Sequence, residues 1–201
     1  MDADRGGGAD SAAAPVMSLQ ATKVDMATST PHTRRYILAF TIALVAALAD
    51  QLTKLWALHA LADGSRIPLI GSYLSLRLTF NPGAAFSLGS QSTWIFTILS
   101  IVILIGLVAA VHKFASLRYA AVFGLLAGGA VGNLIDRLTQ PPGFGIGHVV
   151  DFIDYNGYFV GNVADIWIVC AACSLAILAF FAPQDASTRN DASPRTAVKE
   201  G

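Results

Sequence analysis

The stretch YILAFTIALVAALADQLTKLWAL, residues 36 to 58, is apolar and long enough to cross a membrane as one helix. A helix needs about 20 predominantly apolar residues to cover the hydrocarbon core of a bilayer. Three further stretches of this kind follow, at about residues 93 to 112, 118 to 135 and 159 to 182. The sequence therefore predicts a mostly α-helical membrane protein with four transmembrane helices. A chain that is 54% apolar and only 13% charged agrees with that class.

The two ends of the chain differ in composition from its apolar middle. Residues 1 to 33 and 183 to 201 are rich in small, polar and charged residues and have no apolar periodicity. This composition predicts disordered tails on either side of one membrane domain, residues 34 to 182. The formal net charge is zero, so nothing indicates a nucleic-acid partner.

The placement of basic residues predicts the orientation of the chain in the membrane. Arg34 and Arg35 precede the first predicted helix, Lys113 and Arg118 lie in the second loop, and three more basic residues follow the fourth helix. Cytoplasmic loops of membrane proteins carry an excess of Lys and Arg. We therefore expect both termini and the second loop to be cytoplasmic, and the first and third loops to face outward.

The first loop, at about residues 62 to 92, has the pattern of a strand. In YLSLRLTF, residues 73 to 80, apolar and polar residues alternate, which is the period of a strand with one apolar face. Asn81, Pro82 and Gly83 then predict a turn. We expect a small amphipathic β-sheet on the outer membrane face.

All acids between the predicted tails are aspartates, namely Asp50, Asp63, Asp136, Asp151, Asp154 and Asp165. Asp63 and Asp154 stand beside turn-forming residues and are predicted to be solvated. Asp151 is flanked by apolar residues in the third loop, and Asp165 lies inside the last apolar run, where an ionisable group is a functional candidate. Two such carboxylates brought together share one proton, as in an aspartyl peptidase that activates water. Alternatively, Asp151 caps a turn and Asp165 hydrogen-bonds a neighbouring helix.

The third predicted helix combines small and polar residues on defined faces. Glycines recur at every fourth position from 124 to 132, so a neighbouring helix can approach closely. The glycine stripe ends beside Asn133 and Asp136, which are three residues apart and share a face. The same spacing recurs in Asn162 and Asp165 at the start of the fourth helix. Both copies fall at the outward ends of their helices, where they could converge on one site.

Other polar residues within the spans allow three further readings. Asp50 and Lys54 are four residues apart with the acid first, which predicts a self-neutralising ion pair. Together with Asp165 they could instead form the relay of a proton-coupled carrier. Cys170 and Cys173 form C-A-A-C, as a thiol oxidoreductase would require, but thiols within a transmembrane helix lack the exposure that reactivity needs. The histidines are scattered, so no metal site is predicted.

Five motifs, taken in order, resemble those of lipoprotein signal peptidase, also called signal peptidase II or prolipoprotein signal peptidase. They are DQLTK (50 to 54), FNPGAAFSL (80 to 88), GNLIDR (132 to 137), GHVVDFI (147 to 153) and NVAD (162 to 165). Members of that family usually carry an aromatic residue directly before the last asparagine, whereas this chain has Gly161. This departure bears on the shape of the substrate pocket at that position.

The resemblance implies a bacterial inner-membrane aspartyl peptidase that removes the signal peptide from diacylglyceryl-modified prolipoproteins, cutting before the lipid-modified cysteine. It implies that Asp151 and Asp165 are the catalytic pair. It implies supporting or substrate-binding roles for Asn81, Asn133, Asp136, Arg137, Asn162, Asp50 and Lys54. It also implies an outer β-cradle at the first loop, an active site near the outer face in contact with membrane lipid, inhibition by globomycin-type peptides, and no metal or organic cofactor.

Overall fold

The computed structural model describes residues 31–83, 93–114 and 116–181, which form four long helices and one small sheet. The helices are α1 (Pro31–Ala60), α2 (Thr93–Lys113), α3 (Leu117–Thr139) and α4 (Val163–Phe180), and each is long and apolar enough to cross a membrane. Strands β1 (Ile67–Ile70), β2 (Leu74–Asn81), β3 (Val149–Tyr155) and β4 (Phe159–Gly161) form an antiparallel sheet in that order. The predicted architecture of four spans and a small sheet is confirmed.

Two helix boundaries differ from the predicted ones. α1 begins at Pro31, so residues 31 to 33, which were predicted to belong to the N-terminal tail, are helical. Proline suits the first turn of a helix because its missing N–H needs no partner there. α4 begins at Val163 rather than at residue 159, because residues 159 to 161 pair with β3. The rest of both predicted tails, and residues 84 to 92 of the first loop, lie outside the described residues.

The glycine stripe brings α3 into close contact with α1, as predicted. A Cβ atom added at Gly124 would lie 2.9 Å from the Cα of Ala39, and one added at Gly128 would lie 2.8 Å from the carbonyl oxygen of Ala43. These contacts are with backbone atoms, so no side-chain rotation could relieve them. The stripe therefore sets the distance between the two helices.

The sheet packs its apolar face against the end of α1. Ala57 and Leu61 form a buried cluster with Phe152 of β3, and Leu76 and Leu78 of β2 pack against it. The alternation in the first loop thus predicted the packing of Leu76 and Leu78, but Phe80 of the same predicted face is 47% exposed and Ser75 of the predicted polar face is buried. This cluster fixes the position of the sheet along α1, and therefore the position of β3.

The strand β3 was not predicted, because its sequence lacks the alternation of an amphipathic strand. Residues 149 to 152 are all buried, so both faces of the strand are covered. A strand buried on both sides has no period-two signal. Asp151, which was predicted to lie in a loop, is therefore held in the sheet opposite Thr79 of β2.

Candidate active site

The carboxylates of Asp151 and Asp165 face one open cavity between the sheet and the ends of α3 and α4. The cavity has a volume of about 130 Å³, and Asn81 and Arg137 also line it. Since a water molecule occupies about 30 Å³ in the liquid, there is room for a few waters beside the two acids. The two acids that the sequence marks as candidates, fourteen positions apart, are thus brought to a common space.

Asn162 connects the two acids and has its orientation fixed by the start of α4. Its Oδ1 accepts from the backbone N–H of Asp165 at 3.1 Å, and the Asp165 carboxylate accepts from the backbone N–H of Asn162 at 3.0 Å. This reciprocal arrangement is a capping box. Because the oxygen is occupied in the cap, the amide nitrogen points at Asp151 and donates to its Oδ1 at 2.7 Å.

Two further amides donate to the acids, and each is oriented by a second hydrogen bond. Asn133 Oδ1 accepts from Lys54 Nζ at 2.9 Å, so its Nδ2 is directed to Asp165, to which it donates at 3.1 Å. Asn81 Oδ1 accepts from the Gly83 backbone N–H at 3.0 Å, so its Nδ2 donates to Asp151 at 3.0 Å. Lysine has no acceptor and a backbone N–H is a donor, which excludes the flipped amides.

Below the acid pair lies a buried charge cluster of Lys54, Asp50 and Asp136. Lys54 Nζ lies 2.7 Å from Asp50 Oδ2 and 2.8 Å from Asp136 Oδ2, and none of the three side chains is more than 2% exposed. The predicted pair of Asp50 and Lys54 is therefore present, and a third charge joins it.

The two aspartates of this cluster also hold the two segments that carry the acids. Asp50 Oδ1 accepts from the backbone N–H of Ala164, the residue before Asp165, at 2.8 Å. Asp136 Oδ2 accepts from the backbone N–H of Val150, the residue before Asp151, at 3.0 Å. The buried cluster thus positions both acids by holding the backbone of the residue directly before each of them.

Arg137 brings a positive charge to the cavity. Its Nη2 donates to the carbonyl oxygen of Gly83 at 2.7 Å, and its guanidinium carbon lies 5.3 Å from the centre of the Phe96 ring. Nη1 is buried and has no partner among the described residues. A buried donor without a partner is costly, so this N–H is available to an acceptor that enters the cavity.

The environment of Asp151 keeps its carboxyl largely uncharged below neutral pH. Burial raises the pKa of Asp151 to about 7, and the charge of Asp165 adds to the rise. Hydrogen bonds from Asn81 and Asn162 oppose it. Near neutral pH the Asp151 carboxyl is therefore partly protonated, so it can donate a proton, as one member of an acid–base pair must.

Comparison with known proteins decides the family. Residues 42–181 match the family model described as signal peptidase (SPase) II. This chain belongs to the signal peptidase II family. It is 44% identical over 139 residues to a lipoprotein signal peptidase of Bifidobacterium adolescentis, covering 69% of this chain and 74% of the relative. It is 42% identical over 158 residues to that of Rhodococcus jostii, covering 79% of each.

Solved structures agree with membership in the signal peptidase II family. A bacterial membrane enzyme determined by the in meso method at 2.3 Å is 29% identical and superposes with a TM-score of 0.63. The match covers 78% of this chain and 94% of that structure. Together with the four spanning helices, these comparisons describe a multi-pass bacterial membrane peptidase.

One acid of this family member was predicted wrongly. Asp154, expected to be a solvated turn residue, is 1% exposed. Its Oδ1 does accept from the Gly157 backbone N–H of the turn, at 2.7 Å, but its Oδ2 lies 3.2 Å from Arg66 Nη2 and 3.5 Å from Arg77 Nε. These arginines, one in β2 and one directly before β1, are distant from Asp154 in sequence. Asp63, in contrast, is exposed and caps its turn as predicted.

Two polar or aromatic contributors to the site were not predicted at all. Gln51 donates to Asp136 Oδ1 at 3.1 Å and to the carbonyl oxygen of Gly132 at 3.0 Å, so it joins the buried cluster. Its position inside an apolar run, next to Asp50, was a signal that could have identified it. Phe159 lines the acid cavity, and nothing in its local sequence distinguishes it from a membrane-facing aromatic.

The remaining reactive side chains do not form a second centre among the described residues. Cys170 and Cys173 are free and exposed on α4. No group of three or more His, Cys, Asp or Glu in residues 31–83, 93–114 and 116–181 is placed to hold a metal ion. The acid cavity is therefore the site in the described structure where several polar groups converge.

Proposed function

We propose that this protein is an aspartic endopeptidase that removes the signal peptide from diacylglyceryl-modified prolipoproteins, cutting before the lipid-modified cysteine. The substrate class is supported by the relatives, which are lipoprotein signal peptidases. The catalytic type is supported by one observation above all, that Asp151 and Asp165 face one open cavity that can hold water.

The proposed reaction uses the single proton of the acid pair. The deprotonated carboxylate takes a proton from a water molecule as the water oxygen attacks the carbonyl carbon of the scissile bond. The protonated carboxyl donates to the carbonyl oxygen, which gives a neutral tetrahedral intermediate. When the C–N bond breaks, the leaving amine takes up the proton that the base acquired. The other carboxylate takes a proton from a hydroxyl of the intermediate as the carbonyl re-forms, and the pair regains its one-proton state.

The surrounding polar groups hold the acids and the substrate in place. Asn81 and Asn162 donate to Asp151, and Asn133 donates to Asp165, so neither carboxylate is free to rotate. The unpartnered Nη1 of Arg137 suits a carbonyl oxygen of the substrate backbone. The buried charge cluster acts indirectly, because its carboxylates hold the backbone beside each catalytic acid. The cluster consists of Asp50, Lys54 and Asp136.

The protein is proposed to lie in the cell inner membrane with both termini in the cytoplasm. Lys113 and Arg118 flank the α2–α3 connection, at the opposite end of α3 from the acid cavity. If basic loops are cytoplasmic, the acids lie near the outer face, where the sheet would also rest on the membrane. A lipid-anchored substrate can reach this site sideways through the bilayer, and globomycin-type peptides are expected to compete for the same cavity.

The direct test is cleavage of a purified diacylglyceryl-modified prolipoprotein, followed by gel shift. Wild type should cleave, whereas Asp151→Asn and Asp165→Asn should each be slower by about 10³-fold or more, because each removes one half of the acid–base pair. Asp63→Asn is the matched control, since Asp63 is an exposed aspartate far from the cavity and should leave cleavage unchanged. Circular dichroism in detergent checks that every variant is folded. Cleavage at a rate close to that of wild type by either folded active-site variant, or none by wild type, would refute the proposal.

A further inference from the structure

Gly161 leaves room for an aromatic ring that comes from two positions earlier in the chain. A Cβ atom added at Gly161 would lie 2.7 Å from Cε1 and 3.0 Å from Cζ of Phe159, and 2.8 Å from Oδ2 of Asp165. Distances this short do not occur between real Cβ atoms and their neighbours. The Phe159 ring therefore fills the space that a side chain at 161 would need, in direct contact with the acid site.

The β3–β4 hairpin holds this ring in position. Phe159 pairs with Tyr155 across the hairpin, and the two rings stack with centroids 5.9 Å apart and an angle of 24° between their planes. Asn156 and Gly157 in the connecting turn have φ values of 56° and 79°, as a tight hairpin turn requires. The ring is thus carried by a short, well-defined element rather than by a long loop.

Phe159 is also a shared wall between cavities. It lines the acid cavity and a second opening of about 170 Å³ that Asp151 also lines. It also lines a groove of about 350 Å³ along α4. We name this space the α4 groove; it is formed by Tyr155, Phe159, Asp165, Ile166, Val169 and Cys170. Val169 is 60% exposed, so the groove opens on the membrane-facing side of the helix. Of the described residues, Phe159 alone borders all three spaces.

We propose that Phe159, admitted by Gly161, is a specificity-determining residue that forms the wall between the acid cavity and the α4 groove, and that the groove holds an acyl chain of the substrate. This inference rests on the proposed function. A lipid on the residue next to the scissile bond begins within about 4 Å of it, because consecutive Cα atoms are 3.8 Å apart. With the scissile carbonyl over the acids, the lipid must leave through an apolar path that starts at the acids. The α4 groove starts at Asp165 and opens to the bilayer.

The proposal predicts how the enzyme responds to acyl-chain length. Wild type should cleave a substrate with long acyl chains more efficiently than one with short chains, because the long chain fills the groove. Phe159→Ala should lower kcat/KM for the long-chain substrate by about tenfold, mainly through KM, as expected for loss of an apolar contact that the substrate makes before and during reaction. For the short-chain substrate the loss should be smaller. Phe159→Leu, which keeps an apolar wall, should retain part of the preference.

Moving the ring to the neighbouring position provides a second, independent measurement. Gly161→Phe should abolish cleavage, because the new ring meets Phe159 and the Asp165 carboxylate. The double variant Phe159→Ala/Gly161→Phe should recover most of the activity and the chain-length preference, since one aromatic ring again fills the shared space. Thermal unfolding in detergent checks each variant. If Gly161→Phe does not fold, the comparison of Phe159→Ala with Phe159→Leu still decides the question.

The outcomes separate this inference from the proposed function. If wild type cleaves, the aspartate variants do not, and Phe159→Ala keeps the wild-type chain-length preference, the proposed function stands and this inference is wrong. A second outcome is that Phe159→Ala loses the chain-length preference, and that substituting the signal-peptide residues before the cut changes this preference by the same factor. In that case the groove holds the peptide, and the acyl assignment fails. If wild type does not cleave prolipoproteins at all, the proposed function itself fails.

Discussion

Asn162 performs two tasks that substitution can separate. Its side-chain oxygen caps α4 by accepting from the Asp165 backbone N–H, and its nitrogen donates to Asp151. Serine caps helices about as well as asparagine but has no amide nitrogen to reach Asp151. We therefore expect Asn162→Ser to keep the helix start while removing the hydrogen bond to the acid. Asn162→Ala, the matched control, removes both.

The expected losses in kcat/KM and in unfolding free energy follow from the burial of Asn162. Asn162 is 1% exposed and its hydrogen bond to Asp151 is 2.7 Å long, so water cannot replace it readily. A hydrogen bond to a charged group contributes about 1.5–3 kcal/mol, which corresponds to a decrease in kcat/KM of about 10- to 100-fold for both variants. Loss of the cap costs about 1 kcal/mol of unfolding free energy, and only Asn162→Ala should show it.

The pH dependence of kcat/KM should change in the Asn162 variants only if Asn162 acts on the Asp151 carboxyl. A purely structural role of Asn162 would leave it unchanged. The bond from Asn162 lowers the pKa of Asp151 against the effect of burial, so its loss should raise that pKa above about 7. The one-proton form of the pair then persists to higher pH, and the alkaline fall in activity should shift upward. The assay is kcat/KM against pH for wild type and both variants, with unfolding measured in the same detergent. Reduced activity with an unchanged alkaline limb, or equal stability losses in the two variants, would refute the reasoning.

Three further predictions concern stability. Because burial raises the pKa of Asp151 from 3.8 to about 7, folding loses free energy as the pH rises through that range. Asp151→Asn should therefore be more stable than wild type by ~4 kcal/mol at about pH 8, and the difference should fall below ~1 kcal/mol near pH 4, as thermal unfolding at both pH values would reveal. Lys54→Met leaves two buried carboxylates without their cation and should lower the unfolding free energy by about 3–5 kcal/mol, so a wild-type denaturation midpoint would contradict the buried cluster. Gly128→Leu should force α1 and α3 apart and destabilise by at least ~1–3 kcal/mol, whereas Gly106→Leu, which has open space around it, should unfold like wild type.

The features that the sequence predicted correctly are those whose signals are local. Span length and composition predicted the four helices, and the four-residue glycine repeat predicted the close contact of α3 with a neighbour. The spacing of Asp50 and Lys54 predicted their pair because positions four apart on a helix are always adjacent. The motif resemblance named the acids and their supporting residues, and their roles remain proposals for the experiments above.

What the sequence by itself determined is therefore the class of the protein, its spans and the faces on which polar residues lie. Tertiary structure alone decided which faces meet. β3 carries no periodic signal because it is covered on both sides, and buried Asp154 pairs with two arginines that are distant in sequence. The place of Phe159 over Gly161 depends on the pairing of β3 with β4. Hydropathy and spacing report each residue's own neighbourhood along the chain, whereas burial and partners are set by segments that approach only after folding.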